Sequence, residues 1–322
     1  MRQASCNVVV VMVVLLTGTA VILLEMPETH RLLAAVAGPY PHTRYQSRRK
    51  HPTTADSSHR LSGNVIFNET NVLAGLRKYG LLDLPSKEVL RQMSLQQMTM
   101  TYHSYIDNIN ILCHRKFRMG RVGDGGWEVC DDEAYRPGEP CLVYSFGINH
   151  DFTFDDDIAK LYGCQVYAFD PSMRESTNRR SQSVHFSQLG IGSEDTYIDR
   201  TGWHLMTLQS IMEMFDHSGR IIDVLKMDVE GAEWGSLRQM ITSRDMSRVK
   251  QLLVEFHFDG EFKTKDMGVA FLDVLIDLHA TGFRKFYAHK NPLKNLKSRT
   301  FSIVRTSCYE LHFVNINMND NM

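Results

Sequence analysis

A short acidic run follows an apolar segment in the second half of the chain and is the strongest chemical signal in the sequence. Asp228, Glu230 and Glu233 surround Gly231 directly after the apolar run Ile222–Met227. Several carboxylates at the end of one strand cost desolvation and mutual repulsion, which a fold tolerates where the charges act on a ligand. The alternative is a helix N-terminus, where acidic side chains meet the positive end of the helix dipole.

A histidine is expected at the same edge of the fold, because the next apolar segment ends in Phe256 and His257. An imidazole titrates near neutral pH and suits a general base. A surface histidine with satisfied hydrogen bonds is the alternative. We hypothesise that Asp228 and His257 orient or deprotonate an acceptor hydroxyl, with Glu230 assisting.

Two earlier segments end in residues suited to a nucleoside ligand. Gly147 permits a sharp turn and the close approach of a ligand to the backbone, and Asn149 and Asp151 follow where the next helix begins. Asp170 comes about twenty residues later, the spacing at which an acidic residue accepts hydrogen bonds from ribose hydroxyls. Asp170 before Pro171 is also a good helix start.

Two glycine-containing turns complete the candidate site. The turn around Ile191, between Gly190 and Gly192, is small enough to lie against an adenine ring. The glycine-rich run 118–127 precedes a strand and does not fit a phosphate-binding loop. It is interpreted as a turn over the cofactor cleft, and a plain hairpin turn at Asp124-Gly125 is the alternative.

An α/β fold must position these side chains. Apolar segments at 142–146, 165–169, 185–189, 222–227, 251–256, 284–288 and 310–315 alternate with helical stretches such as 155–162 and 266–281. The alternation predicts a mostly parallel seven-stranded sheet with helices on both faces. The last two strands lack a convincing helix between them, which favours a hairpin-like antiparallel end. Ligands of such sheets bind beyond the carboxyl ends of the strands, where strand order reverses.

These motifs resemble those of the FkbM-type methyltransferases. The run 225–233 (LKMDVEGAE) matches that family's signature around the fourth strand. The runs 124–127 (DGGW) and 144–148 (YSFGI), with the membrane-proximal N-terminus, are more similar still to the methyltransferase-like protein 24 family. The resemblance covers the chain from residue 100 to residue 316, and the segments before it lie outside.

The resemblance implies a Rossmann-like class I methyltransferase fold that binds S-adenosyl-L-methionine and methylates oxygen. It assigns Gly147 and Asn149 to the methionine end of the cofactor, Asp170 to its ribose and Asp228 to the methyl-transfer edge.

The chain departs from the FkbM pattern at two positions. FkbM proteins usually carry an acid at the place of Ser145 and a glycine at the place of Asp151. Asp151 is therefore expected to supply the displaced carboxylate to the amino group of the cofactor.

The N-terminal segments are expected to lie outside the catalytic domain. Residues 8–24 are apolar and have the length of a short membrane span, so residues 1–24 form a signal-anchor or a cleaved signal peptide. Residues 25–69 have the polar composition of a flexible stem. The methyltransferase domain is expected at 70–322, with a helical lead-in at 70–112. We expect a single-pass membrane protein with a lumenal catalytic domain, or a secreted protein after cleavage.

The cysteines and a glycosylation sequon at 68–70 favour a lumenal domain. Cys6 would face the cytoplasm, and the other five cysteines suit one or two disulfides with one thiol left over. Cys130 and Cys141 flank a short polar loop and are the first expected pair, with ordinary buried thiols as the alternative. No C-x-x-C motif occurs, and no metal site is expected.

The composition argues against a nucleic-acid partner, because the formal net charge is −1 and charged residues make up 23% of the chain. The methyl acceptor stays open among a glycan, a lipid head group, a small molecule and a protein. One rival function is a Golgi-type glycosyltransferase, with the acids 155–157 holding a metal–sugar nucleotide, although these acids also suit the start of a helix. The other is a non-catalytic binding protein that has kept the fold.

Overall fold

The architecture is given by a computed structural model that describes residues 84–174, 180–258, 260–292, 294–298 and 304–321. The expected membrane segment, stem and sequon, and the start of the lead-in, lie outside these residues. Within the described ranges, no helix combines the length and the apolar character needed to cross a membrane.

Two short helices lead into the sheet, as the sequence predicts for this region. Helix α1 (Lys87–Gln92) begins after Ser86, whose hydroxyl accepts the N–H of Val89. Helix α2 (Leu95–Ile106) begins with a capping box between Ser94 and Gln97. The predicted cap at Ser86 is confirmed, and the apolar face of α2 is buried in the core.

The remaining elements alternate between strands and helices. In chain order they are β1 (Lys116–Gly120), β2 (Gly126–Cys130), β3 (Leu142–Phe146), α3 (Thr153–Tyr162), β4 (Gln165–Phe169), β5 (Val184–Ser187), β6 (Gly190–Ile191), β7 (Thr196–Ile198), β8 (Trp203–Met206), α4 (Leu208–Met214), β9 (Ile222–Met227), α5 (Glu233–Thr242), β10 (Val249–His257), α6 (Lys265–Ala280), β11 (Phe283–Lys290), β12 (Asn295–Lys297), β13 (Val304–Thr306) and β14 (Cys308–Asn315). Short 3₁₀ helices span Asp245–Arg248 and Ile316–Asn321.

A large, mostly parallel sheet organises the domain, as predicted. Its strand order is β11-β14-β10-β9-β3-β4-β5. The neighbours β10, β9, β3, β4 and β5 pair in parallel, whereas β14 runs antiparallel to both β10 and β11. Six strands therefore share one direction and β14 opposes them, which confirms the expected antiparallel end.

Side-chain alternation along the buried strands divides the core into two layers. On β3, Leu142, Tyr144 and Phe146 face the layer built with α2, α4, α5 and α6. Val143 faces the other layer, which is built with α3 and the β1–β2 hairpin. Because successive strand side chains point to opposite faces, a strand covered on both sides reads as a continuous apolar run.

The glycine-rich run forms a plain antiparallel hairpin, which was the alternative interpretation. Strands β1 and β2 pair from Lys116–Cys130 to Gly120–Gly126. The hairpin packs on the loop after β3, where Arg121 pairs with Asp151 at 2.8 Å.

Two disulfides link elements that adjoin in space. Cys113 bonds Cys130, and Cys141 bonds Cys164. Cys308 is buried and takes part in neither disulfide. The expected Cys130–Cys141 pair is wrong, because Cys141 and Cys164 immediately precede the neighbouring strands β3 and β4, and that adjacency brings them together.

The three consecutive acids of α3 point in different directions. Asp155 is buried against β3, Asp156 pairs with Arg180 at 2.8 Å, and Asp157 accepts the N–H of Gly120. They begin a helix, which was the favoured interpretation, and they do not converge on one point. The glycosyltransferase hypothesis therefore loses its proposed metal–nucleotide site.

Asp155 carries a buried charge within the fold. Burial raises the pKa of its carboxyl to about 6, and Lys226 and the Ser145 hydroxyl partly oppose that rise. The carboxylate beside Ser145 is therefore that of Asp155.

Disulfide mapping tests the pairing. Non-reducing peptide maps of the full chain are expected to link Cys113 to Cys130 and Cys141 to Cys164. Each bond closes a loop with a sequence separation of 17 or 23 residues, so losing either pair should lower the free energy of unfolding by about 3 kcal/mol. Cys308→Ser is the control and leaves both cross-links in place. A peptide joining Cys130 to Cys141 would contradict the assignment.

Stability as a function of pH tests the burial of Asp155. Because the pKa of Asp155 is higher in the folded state, protonation of its carboxyl stabilises the fold. This contribution is complete below about pH 4 and is lost as the pH rises through 6. Asp155→Asn removes the dependence. The unfolding free energy of the variant minus that of the wild type should therefore increase by up to about 3 kcal/mol between pH 4 and pH 7.

Urea titrations at several pH values measure this difference. The matched control is Asp156→Asn, which removes an exposed ion pair and should change stability by less than about 1 kcal/mol. Parallel curves for Asp155→Asn and the wild type across this pH range would refute the prediction.

Candidate active site

The reversal of strand order lies between β3 and β9, the point at which ligands bind in open α/β sheets. Gly147 follows β3 with φ 78°, and Asp228 follows β9. A Cβ at Gly147 would lie 1.7 Å from the carbonyl oxygen of Asp228. Any larger residue would force the two strand ends apart, so the close approach predicted for Gly147 is made to the neighbouring backbone.

Lys226 connects the ends of β3 and β9, and the sequence analysis did not single it out. Its Nζ donates to the carbonyl oxygens of Gly147 (2.9 Å) and Phe146 (3.3 Å) and lies 5.2 Å from the ring centroid of Trp127. The side chain is buried. A charged residue within an otherwise apolar strand was the available signal, because a buried lysine must find acceptors.

Asp170 organises the loop after β3. One carboxylate oxygen accepts the backbone N–H groups of Ile148 (3.0 Å) and Asn149 (2.9 Å). The other accepts the backbone N–H (2.8 Å) and the hydroxyl (2.6 Å) of Ser172. Four donors use about the full acceptor capacity of a carboxylate. Asp170 thus joins the ends of β3 and β4 through its side chain.

Asn149 and Asp151 take different positions in the same loop. Asn149 has a left-handed backbone, with φ 45°, and its side chain is exposed. Asp151 pairs with Arg121 and accepts at 3.1 Å the N–H of Thr153, the first residue of α3. Asp155, not Asp151, is the carboxylate beside Ser145. The expectation that Asp151 serves the amino group of the cofactor stays a prediction.

Ile191 belongs to a short strand, not to the flexible turn expected from the sequence. It pairs with Met206 of β8 and is 1% exposed. The preceding Gly190 lies so close to Pro171 that a Cβ there would approach the proline ring to 2.9 Å. This contact brings β6 beside the end of β4, next to Asp170.

A histidine surrounded by carboxylates lies at the same edge of the sheet. The Nε2 atom of His257 is 3.5 Å from an oxygen of Glu230, 3.8 Å from one of Glu255 and 3.9 Å from one of Asp228. Its Nδ1 atom is 3.4 Å from an oxygen of Glu233. The structure therefore brings together the three predicted residues Asp228, Glu230 and His257. Glu255, two positions before His257 on the same face of β10, was missed.

Glu233 holds this cluster in place. Its side chain is fully buried, and its two oxygens accept the backbone N–H groups of Gly231 (2.8 Å) and His257 (2.7 Å). One carboxylate therefore connects the acidic loop after β9 with the end of β10. Trp234 adds a second connection, because its indole N–H donates to the carbonyl oxygen of His257 at 2.9 Å.

The electrostatics of the cluster are dominated by negative charge. Asp228 lies in a recess, and burial raises the pKa of its carboxyl. Lys226 and His257 oppose the rise, whereas Glu233 adds to it. Because about a third of the Asp228 side chain stays exposed, its carboxylate remains accessible from the open edge of the sheet.

The candidate site thus has two parts. The loop residues Gly147, Asn149 and Asp170 form one part, and the cluster of Asp228 and His257 with its neighbouring acids forms the other. The contact between Gly147 and the Asp228 carbonyl joins them.

Comparisons with known proteins agree with this architecture. Residues 85–305 match a family described as a methyltransferase domain. The probable methyltransferase-like protein 24 of Homo sapiens is 28% identical over 244 residues, which cover 69% of this chain and 66% of the relative. The Rattus norvegicus protein of the same name is 29% identical over 244 residues, with the same coverage. The chain spans just under two thirds of the length of these curated relatives.

Two solved methyltransferase structures have low similarity to the chain. The methyltransferase FkbM of Methylobacillus flagellatus KT has 12% sequence identity and a TM-score of 0.34, over 74% of this chain and 60% of that one. The magnesium protoporphyrin IX methyltransferase ChlM of Synechocystis PCC 6803, solved with bound S-adenosyl-L-methionine, has 11% identity and a TM-score of 0.31, over 79% of this chain and 100% of that one.

The resemblance seen in the sequence motifs is confirmed by the family match and by the two named relatives. Because the matched residues extend over more than half of the 322 positions, the chain belongs to this methyltransferase-domain family.

Proposed function

We propose that the chain is an S-adenosyl-L-methionine-dependent methyltransferase that methylates an oxygen atom of its acceptor. The observation that carries the proposal is the contact between the ends of β3 and β9. There the Gly147 backbone lies against the Asp228 carbonyl, so a loop suited to a nucleoside adjoins a cluster suited to proton transfer. Methyl transfer needs both parts at one place, because most of its catalysis is the alignment of two reactants.

The residues at the end of β4 fit the ribose of the cofactor. All four hydrogen bonds to Asp170 come from the protein, and three of the donors are backbone N–H groups of structured loops. The fourth is the hydroxyl of Ser172, which can rotate away from the carboxylate. A ribose hydroxyl would take its place, while the backbone donors keep the carboxylate oriented.

The acid–histidine cluster suits a hydroxyl acceptor. When bound, S-adenosyl-L-methionine would supply an electrophilic methyl group to the acceptor oxygen, with its sulfur keeping the electron pair of the broken C–S bond. His257 takes the hydroxyl proton, and Asp228 orients the hydroxyl and stabilises the imidazolium that forms. Glu230 assists from the exposed side, where half of its side chain faces solvent. Glu233 keeps the imidazole in place from its other nitrogen.

The acceptor is proposed only by class. It carries a hydroxyl and reaches an edge of the sheet that is open to solvent, and a glycan, a lipid head group, a small molecule and a protein side chain all meet that requirement.

The cellular setting is also a proposal. A membrane segment at residues 8–24 would hold the domain in the lumen of the secretory pathway, with secretion as the alternative. Two disulfides support an oxidising compartment, where such bonds persist.

Calorimetric titration of the full chain with S-adenosyl-L-methionine tests the cofactor site. Asp170→Ala is expected to weaken binding at least about tenfold, because it removes the charged acceptor of a ribose hydroxyl. Ser172→Ala is the matched control. It should leave affinity unchanged or improve it, since ribose displaces that hydroxyl. Absence of binding by the folded chain would favour a non-catalytic protein that has kept the fold.

Transfer of tritiated methyl groups to panels of glycans, lipids, small molecules and proteins tests the chemistry. Asp228→Asn is expected to lower kcat by about 10²- to 10⁴-fold while cofactor affinity changes little, because the carboxylate acts on the acceptor. Asp266→Asn, an exposed exchange in the first turn of α6, is the control. Normal turnover by Asp228→Asn would remove Asp228 from the mechanism.

A further inference from the structure

The side chains around His257 form a set that suits a metal ion, although the sequence predicted no metal. One ligand atom each from Asp228, Glu230 and His257 lies within 4.8 Å of the other two. Ligand atoms around one divalent ion stand about 3 to 4 Å apart when the metal–ligand bonds are about 2.1 Å. The Nε2 distances of 3.5 Å to Glu230 and 3.9 Å to Asp228 lie in this range.

The orientation of His257 is an independent observation that points to a metal. A histidine that binds a metal almost always directs its second ring nitrogen to a carboxylate or carbonyl, which fixes the tautomer and the ring plane. Here the fully buried Glu233 lies 3.4 Å from Nδ1. Nε2 faces Asp228 and Glu230 at the open edge.

The charge balance of the cluster points in the same direction. Four carboxylates, those of Asp228, Glu230, Glu233 and Glu255, lie within 4.0 Å of the nitrogens of one imidazole. Carboxylates this close repel one another, and a cation among them lowers that repulsion. A divalent cation compensates this charge in the way that bound ions do in protein metal centres.

We propose that Asp228, Glu230 and His257 bind a divalent cation at the carboxyl end of β9 and β10. Two carboxylates with one imidazole suit an ion that accepts both oxygen and nitrogen ligands, and Mn²⁺ meets this requirement. Asp228 and Glu230 are partly exposed, with 33% and 50% of their side chains accessible, so their rotation can complete the ligand shell. The remaining ligand positions face solvent and take water or the acceptor oxygen.

The role of the ion in catalysis rests on the proposed methyltransferase function. A metal-bound hydroxyl gives up its proton to solvent water more readily than a free one, because the ion stabilises the alkoxide. The metal and the acceptor oxygen would then lie beside Gly147, where the ends of β3 and β9 meet. This role replaces proton removal by His257, whose Nε2 would bind the ion.

A second set of ligands shares His257 and is the competing arrangement. Glu255, His257 and Cys308 also lie within 4.8 Å of one another. Glu255 and Cys308 are both nearly inaccessible to solvent, and a thiolate ligand favours Zn²⁺. We assign the ion to the oxygen-rich set, because its two carboxylates face the edge from which an acceptor must approach.

Electron paramagnetic resonance of Mn²⁺ added to the full chain, without cofactor, tests the assignment. The wild type should bind Mn²⁺ and show the electron spin-echo modulation of one directly bound ¹⁴N nucleus. His257→Gln should abolish the modulation, and Asp228→Asn should weaken binding at least about tenfold. Glu233→Gln should weaken binding by about 10- to 100-fold through the orientation of His257.

The control is Cys308→Ser, which should leave Mn²⁺ affinity and the nitrogen modulation unchanged. Circular dichroism of each variant separates loss of a ligand from loss of the fold. Absence of Mn²⁺ binding by the folded wild type, binding without nitrogen modulation, or loss of binding in Cys308→Ser would each overturn the proposal. Titration with S-adenosyl-L-methionine is a separate measurement. If the cofactor binds and Mn²⁺ does not, the metal site alone is refuted. If Mn²⁺ binds and the cofactor does not, the proposed methyltransferase function alone is refuted.

Discussion

The buried carboxylate of Glu233 is the interaction on which the geometry of the candidate site depends. It accepts one N–H from the acidic loop and one from the last residue of β10, so two loops that are distant in sequence share one anchor. A buried carboxylate is stable only when its oxygens are satisfied. The positions of Asp228 and His257 therefore follow from the hydrogen bonds of a residue that does not itself face the acceptor.

The close contact between the ends of β3 and β9 at Gly147 imposes the second constraint. The absence of a side chain there lets the backbone after β3 touch the backbone after β9, and Lys226 donates to the carbonyl oxygens of Phe146 and Gly147. Asp170 extends the connection to β4. Two charged side chains, Lys226 and Asp170, thus connect the ends of β3, β4 and β9, while the apolar layers on both faces of the sheet set their spacing.

The sequence predicted the strands that precede the candidate site residues better than it predicted the contacts of those residues. The strands 142–146, 165–169 and 222–227 were placed to the residue, because each apolar run stops at a glycine or an aspartate. The disulfide pairing was missed, because it depends on which strands become neighbours. The roles of Lys226 and Asp155 were missed for a related reason, since a charged residue in an apolar run does not reveal its partner until the opposing layer is in place.

The Cys141–Cys164 bond has a mechanical consequence for the opposite edge of the sheet. It joins the residues that immediately precede β3 and β4, so these two strands are covalently clamped at their amino ends. At their carboxyl ends the same strands are held by noncovalent contacts, namely the hydrogen bonds of Asp170 and the stacked rings of Phe146 and Phe169. Any opening that admits a ligand between them is therefore a rotation about the clamped end, which concentrates the displacement at the mouth of the cleft.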